Sequence, residues 1–251
     1  MSTFSSFLDR LPDPLNPIGE DGSSVNSTVA GPGFKTVKFT SQQPVAVSRT
    51  NSGRVITRSV VGHKWNIGIT YNPMTRDQFE PVYNFLLEKR GRLKPFFVAL
   101  PQYGGDSTNS SSDPSTRTAF TGTIRVNGTI TAGDDNFLVD GINSLNPSGS
   151  GLRPGDVFTF NDTTNSNHKK VYQVVRVNTS TNKLTSDSAL NNTDFRRYYV
   201  VPSVEKDVAD NAQLTYINPL FRVIQTSDVQ EYSLGVNNLY TFSLNLEEAQ
   251  P

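Results

Sequence analysis

Apolar and polar residues alternate with a period of two over much of the chain. The most regular runs extend from Lys64 to Tyr71 and from Tyr240 to Glu247. Strict alternation predicts a β-strand with one buried face and one solvated face. Because a closing strand this regular normally pairs in a central sheet, we expect the second run to join the N-terminal strands.

Two shorter apolar stretches predict a β-hairpin nearer the N-terminus. Val45 and Val47 precede a turn, Arg-Thr-Asn-Ser-Gly at 49–53, and Arg-Val-Ile-Thr follows it. This spacing is typical of a hairpin with a five-residue loop. Three arginines surround the hairpin: Arg49, Arg54 and Arg58. Two interpretations of them stay open, either charges that protect an edge strand or salt bridges to acids of a neighbouring subunit.

Helical spacing is confined to about residues 75–90. Thr75 and Gln78 form a capping-box pattern. Four apolar residues then recur at helical spacing: Phe79, Val82, Tyr83 and Leu86. Gly91 predicts a left-handed stop. Pro81 removes one backbone donor, so we expect a bend or a late start of the helix.

The middle of the chain predicts a second β-rich region. A polar, low-complexity stretch at 103–116 indicates a loop or linker. Beyond it, short apolar runs return at a spacing that suits a small β-barrel or sandwich. We therefore expect three parts: an extended N-terminal arm at 1–33, a β domain of 34–105 plus 215–251, and an inserted β domain at 106–214. The arm is either a frayed terminus or a segment that docks on a neighbouring subunit.

Composition narrows the classes of function. The chain has 251 residues, 23 basic and 23 acidic side chains and no cysteine. Zero net charge argues against a broad nucleic-acid-binding surface. The missing cysteines exclude disulfides, thiolate catalysis and cysteine-based zinc sites. No apolar run reaches the roughly 20 residues of a membrane helix, and no leader pattern opens the chain, so no membrane association is expected.

Candidate chemistry is sparse. No motif of a hydrolase, nucleotide-binding loop, zinc protease or EF-hand is present. We therefore expect a protein that is not an enzyme and that has no cofactor and no metal. The acidic cluster from Asp134 to Asp140 predicts a turn rather than a calcium site. His63 is expected in a turn and His168 in solvent, while Trp65 is either a core residue, which the alternation favours, or a stacking platform for a sugar or base.

At this point the run MTRDQFEPVYNFLLEKRGRLKPFFVALP, residues 74–101, resembles a segment of the distal tail, or baseplate hub, proteins of long-tailed bacteriophages. The stretches LRPGDVFTF and KVYQVVRV are similar to the central part of these proteins, and YTFSLNLEEA to their final strand. The resemblance covers residues 34–101 and 150–249. It implies a mainly β, tail-tube-like β-sandwich with one flanking helix, whose long hairpins line up around a ring of six copies.

The resemblance also implies a function. The chain would be a structural virion protein that links the tail tube to baseplate or tip proteins and lines a channel for DNA, after synthesis in the bacterial cytoplasm. A lumen through which DNA slides cannot carry many free cations, so the hairpin arginines should pair with acids or face a neighbour. The expected interface residues are Val45, Val47, Arg49, Arg54, Arg58, Trp65, Tyr240 and Phe242. The alternative is a receptor- or carbohydrate-binding tail module, with the inserted domain as the binder.

Overall fold

A computed structural model describes residues 9–14, 31–59, 62–103, 123–140, 151–179 and 196–249. The first elements are β1 (Phe34–Gln42), β2 (Val45–Arg49), β3 (Val55–Ser59), β4 (Lys64–Tyr71), α1 (Arg76–Lys89) and β5 (Phe96–Ala99). The next are β6 (Arg125–Asn127), β7 (Asn136–Asp140), β8 (Val157–Asn161), β9 (Val171–Thr179), β10 (Arg196–Val201) and β11 (Gln213–Thr215). The last are β12 (Leu220–Gln225), β13 (Ser233–Leu234), β14 (Tyr240–Thr241) and β15 (Ser243–Glu248). The predicted fold class, mainly β with one flanking helix in the described residues, is confirmed.

The chain forms two compact units. The first contains residues 1–98 and 222–249, and the second contains residues 99–221 with the last two residues. The chain thus leaves the first unit after residue 98 and returns to it at residue 222. The predicted domain limits, 34–105 plus 215–251 and 106–214, stay predictions.

A five-stranded sheet in the order β1-β4-β15-β12-β5 forms the first unit. Inward and outward residues alternate along β4, as the sequence pattern predicted, because successive side chains of a strand point to opposite faces. The closing strand β15 pairs antiparallel with β4, with Leu244 opposite Ile69 and Leu246 opposite Ile67. The prediction that the last strand joins the N-terminal strands is therefore confirmed.

Helix α1 follows β4 and begins where the capping box predicted. The backbone N–H of Thr75 donates to Oε1 of Gln78 at 3.4 Å. Of the predicted bend or late start at Pro81, the late start is wrong, because α1 begins at Arg76 and continues through Pro81. The bend stays a prediction. The predicted stop is shifted by one residue: Arg90 takes the left-handed conformation (φ 53°, ψ 54°), and its N–H bonds to the carbonyl of Leu87. Among the described residues, no helix is long and apolar enough to cross a membrane.

Gly91 has a separate reason to be glycine. Its φ is also positive, at 63°, and a Cβ at this position would lie 2.6 Å from Oδ1 of Asp228. The same carboxylate accepts the backbone N–H of Arg92 at 3.2 Å. The end of the helix is therefore held close to the segment that follows β12, which only a residue without a side chain permits.

A closed six-stranded barrel in the order β10-β7-β6-β11-β8-β9 forms the second unit. Sixteen buried residues fill its interior, among them Phe137, Phe158, Phe160 and Tyr198. Closure leaves no free strand edge, so this small sheet satisfies its backbone groups internally. Of the two predicted forms, barrel or sandwich, the structure contains the barrel.

His168 lies in the loop between β8 and β9 and is buried rather than in solvent, which corrects the sequence-based expectation. Its ring is buried against Phe160 and Tyr172, and Nε2 lies 2.6 Å from the Tyr172 hydroxyl. Burial, with Lys206 and Lys169 nearby, lowers the pKa of His168 to about 4. The residues around His168 are polar, so the sequence pattern did not predict its burial. The burial arises because the loop folds back over the barrel.

Candidate subunit interface

The hairpin of β2 and β3 forms a two-stranded sheet of its own. Its register pairs Val45 with Ser59, Val47 with Thr57 and Arg49 with Val55, and the loop contains residues 50–54. Arg49, predicted to open the turn, is thus the last residue of β2. Residues opposite each other share a face, so three valines and Arg49 lie on one side, and Ile56 and Arg58 on the other. Both faces carry apolar side chains next to a cation.

Apolar side chains of this hairpin are unusually exposed. Val45 is 50% exposed, Val47 60%, Val55 50% and Ile56 53%. An isolated two-stranded hairpin is marginally stable in water, and a patch of β-branched residues on such a ribbon favours association. Within the described part of the chain, these side chains are left uncovered.

The three hairpin arginines project into solvent from the same ribbon. Arg49, Arg54 and Arg58 are all exposed. None of them forms an ion pair with another residue in the described ranges. Of the predicted alternatives, pairing with acids of the same chain therefore finds no support within those ranges, and the guanidinium groups stay available to a neighbour.

A second exposed ribbon, residues 227–241, contains the short strands β13 and β14 and is called the acidic arm below. Its carboxylates are Asp228 and Glu231. Its exposed apolar residues are Val229, Tyr232, Leu234 and Val236. Sequence analysis overlooked this arm. The signal was present in the turn Gly-Val-Asn-Asn at 235–238, flanked by Leu234 and Tyr240.

Aromatic rings hold the base of the acidic arm against helix α1. Phe79 stacks on Tyr240, with ring centroids 4.5 Å apart, and lies 5.0 Å from Tyr232 and 5.2 Å from Tyr83. Phe242 packs at the edge of Phe79, at 5.9 Å. Tyr240 and Met74 also exchange two backbone hydrogen bonds, of 2.8 and 2.9 Å. The base of the arm is therefore packed against α1 and hydrogen-bonded to the residue that precedes the helix cap.

The predicted interface residues separate into three groups. The structure gathers Val45, Val47, Arg49, Arg54 and Arg58 on the exposed hairpin. Tyr240 and Phe242 lie at the base of the acidic arm, where Tyr240 is half-buried and Phe242 is buried. Trp65 is only 2% exposed and is stacked on Phe39 at 4.6 Å, so it is a core residue and offers no platform for a sugar.

His63 belongs to the same layer as Trp65. Its ring lies at the edge of the Trp65 ring, at 4.5 Å, and its Nε2 lies 2.8 Å from Oγ of Ser41. The ring is buried rather than solvated. This placement gives His63 a packing role beside β1 and β4.

The two edge strands of the main sheet, β5 and β1, differ in whether another described segment of the chain covers them. Segment 9–11 covers β5: the N–H of Phe97 donates to the carbonyl of Asp9 at 2.7 Å, and the N–H of Leu11 donates to the carbonyl of Phe97 at 2.8 Å. Leu11 is fully buried. At the other edge, β1 pairs with β4 alone among the described strands. One edge is closed by the chain itself, and the other is open to a partner.

The same contacts correct the interpretation of the N-terminal arm. Residues 9–14 are neither a frayed terminus nor a segment left for a neighbouring subunit, because they dock on the chain's own sheet. The buried Lys89 ammonium pairs with the Asp9 carboxylate, and Arg10 pairs with Asp13 at 2.9 Å. The rest of the predicted arm, 1–8 and 15–30, lies outside the described residues.

Acid, base and metal chemistry find little support in the described ranges. No group of three or more His, Asp or Glu side chains there is arranged to hold a metal ion. Asp134 accepts a hydrogen bond from the backbone N–H of Thr131 at 3.0 Å, which is the turn that the sequence predicted. The surface features that stand out are therefore the arginine hairpin, the acidic arm and the open edge of β1.

Comparison with known proteins bears on the same region. Residues 22–103 match the family model described as distal tail protein pb9, A domain, N-terminal. The matched range contains β1 to β5 and α1, and with them the arginine hairpin. No curated protein matches the chain.

Proposed function

We propose that this chain is a bacteriophage distal tail protein, a structural component of the virion tail, and that six copies of it close into a ring at the distal end of the tail. The match of residues 22–103 to the distal tail family model supports the first part of this proposal. The ring would join the tail tube to baseplate or tip proteins and surround the path of DNA. Its function is geometric and not enzymatic.

The observation that carries this proposal is the exposed hairpin of β2 and β3. It presents four β-branched side chains, each at least half exposed, on a ribbon with unpartnered edges. Free edges and apolar faces favour pairing with another chain, and a closed ring satisfies every copy in the same way without leaving an end. The open edge of β1 supplies a second surface of the same kind.

Charge supports a channel through which DNA moves without being held. The chain has no net charge. Cations that neutralise phosphates release counterions and bind DNA strongly, so a lumen rich in free arginine would retard ejection. We therefore place the hairpin arginines at subunit contacts rather than in the lumen.

We also propose the domain division expected from the sequence. Residues 34–105 plus 215–251 would be the ring-forming domain, and 106–214 an inserted barrel domain, preceded by the arm at 1–33. The two compact units, whose limits each lie seven residues from the predicted 105 and 214, support this division.

Electron microscopy tests the proposal directly. The purified full-length protein, and tails isolated from particles of the encoding phage, should give ring-shaped class averages with six-fold symmetry. A protein that stays monomeric at high concentration, together with tails that lack a six-fold ring, would refute the ring. The position of a label fused to the C-terminus reports whether that ring lies at the distal end.

A further inference from the structure

The two exposed ribbons carry opposite charges. Residues 45–59 contain three arginines and no acid, whereas the acidic arm contains Asp228 and Glu231 and no basic residue. Such segregation is more than a mixed surface would require, since neighbouring charges of opposite sign are usually interspersed. Charge complementarity between surfaces selects partners and fixes their orientation.

The two carboxylates of the acidic arm differ in their contacts with the rest of the chain. Asp228 is occupied at the end of the helix, where it accepts the backbone N–H of Arg92. Glu231 is exposed and forms no ion pair with another described residue. Glu231 is therefore the carboxylate that is available to a partner.

Two clefts meet at Glu231. One, of about 280 Å³, lies between residues 225–231 and strand β15, and the other, of about 390 Å³, lies between β13 and β15. Glu231 is the one charged residue in both linings, beside the hydroxyls of Ser227, Thr226 and Ser243. A carboxylate flanked by acceptor oxygens suits a guanidinium, whose five donors form a planar fork.

We propose that the arginine hairpin of one copy docks on the acidic arm of the next copy and places a guanidinium against Glu231. This contact rests on the proposed ring, and it assigns the surfaces that form each joint. The hairpin and the arm are different patches, so the contact is head-to-tail, which is the type that generates rings. The valines of the hairpin and the exposed Val229, Leu234 and Val236 of the arm supply apolar area around the ion pair.

Charge reversal tests the contact. Glu231→Lys should abolish ring formation, because it sets a cation against three arginines. Glu88→Lys, which reverses an exposed acid on helix α1, is the matched control and should leave rings intact. Thermal unfolding should be compared on the monomeric fractions, because assembly itself adds stability, and there both variants should match the wild type, since both side chains are exposed.

Rescue identifies the arginine. Each of Arg49→Glu, Arg54→Glu and Arg58→Glu is combined with Glu231→Lys, and one combination should restore rings that neither single change permits. Arg153→Glu, on the barrel, is the control reversal and should restore nothing. Failure of all three combinations would overturn the pairing with Glu231.

Cross-linking gives an independent readout, because the chain has no cysteine of its own. Thr57→Cys on the hairpin combined with Val229→Cys on the arm should give, on oxidation or with a short bis-maleimide, a ladder of products up to the full ring. Each single variant should stay uncross-linked, since a head-to-tail contact does not bring a residue against its own copy. Dimers from a single variant would indicate a two-fold contact and overturn the proposal.

The outcomes separate this contact from the ring itself. Wild-type protein and tails without rings overturn the proposed function and this contact together. Rings that survive Glu231→Lys and give no ladder from the cysteine pair overturn the contact alone, and leave the ring to be built from other surfaces.

Discussion

Buried ionisable side chains show how single residues fix each unit. The Lys89 ammonium lies at the end of α1, pairs with Asp9 and lies 4.8 Å from the centre of the Phe85 ring. A lysine is rarely buried unless it is paired, so Lys89 ties the N-terminal segment to the helix. Burial, together with the nearby Asp13, raises the pKa of the Tyr71 hydroxyl above its ordinary value, which keeps that phenol neutral in the core of the sheet.

His168 predicts a dependence of barrel stability on pH. Its folded-state pKa of about 4 lies below the ordinary value of 6.5, so the unfolded chain takes up a proton first as the pH falls. Its contribution is complete above about pH 6.5 and is lost progressively towards pH 4, by at most about 3 kcal/mol. The protection factors of the β8 and β9 amides, which compare the observed exchange rate with the intrinsic rate at each pH, should therefore fall across this window.

A matched variant isolates the effect of His168. His168→Gln keeps a polar side chain at this position but cannot titrate, so the extra loss of protection between pH 6.5 and 4 should disappear. Asp162, the carboxylate that partly offsets the effect of the lysines, stays in place in this variant. An unchanged pH profile would assign the acid sensitivity to carboxylates and not to the imidazole.

At the scale of elements, helix α1 is the support for the acidic arm. Its inward face carries Phe79, Val82, Phe85 and Leu86. Phe85 meets the edge of Phe96 on β5 at 5.4 Å, and the side chain of Gln225 on β12 donates to the Leu86 carbonyl at 3.2 Å. Phe79 then extends this packing to the rings of the arm. One helix therefore fixes both a sheet face and the exit direction of a ribbon.

Truncation of Phe79, the aromatic side chain at the centre of this cluster, should loosen the contact between helix α1 and the acidic arm. Phe79→Ala leaves a cavity among Tyr83, Tyr232, Tyr240 and Phe242, and should lower the free energy of unfolding by about 3–5 kcal/mol. Urea titration followed by the fluorescence of Trp65, the sole tryptophan, reports on this unit.

Leu87→Ala is the control on the same helix, because Leu87 is 46% exposed and should cost less than about 1 kcal/mol. Faster proteolysis within 227–241 in the Phe79 variant would locate the loss at the arm. Equal effects of the two substitutions would show that the cluster contributes nothing specific.

At the scale of the whole molecule, the surfaces that stabilise the fold differ from the surface that we propose for assembly. The buried residues of the sheet and of the barrel form interiors within their own units, whereas the arginine hairpin contributes almost nothing to either. A surface that adds little to the folded monomer, yet carries four exposed β-branched residues, is best explained by assembly.

A charge placed on the hairpin should separate folding from assembly. Val47→Asp should leave the melting temperature of the monomer unchanged, because Val47 is already exposed, and should remove rings from electron micrographs. Val175→Asp places the same charge at a comparably exposed valine of the barrel strand β9 and should retain them. Loss of thermal stability in the Val47 variant, or rings that persist in it, would contradict the assembly role of the hairpin.

Patterns in the sequence determined the local elements of this protein. Alternation specified β4 and β15, the capping box specified the start of α1, and the valines around a Gly-containing turn specified the hairpin. These features depend on residues that are close in the sequence, so the pattern of apolar and polar residues is enough to predict them. The sequence also resembles phage distal tail proteins, and this resemblance is the basis of the proposed function.

The tertiary structure decided the long-range packing, which the local sequence pattern does not predict. It closed the barrel, buried His168 beneath a polar loop, placed Trp65 in the core and docked Asp9 to Leu11 on β5. It also exposed the hairpin and the acidic arm while burying stretches of similar composition. Burial depends on which strands, distant in the sequence, pack together. The local sequence of a strand does not predict whether another part of the chain will cover that strand.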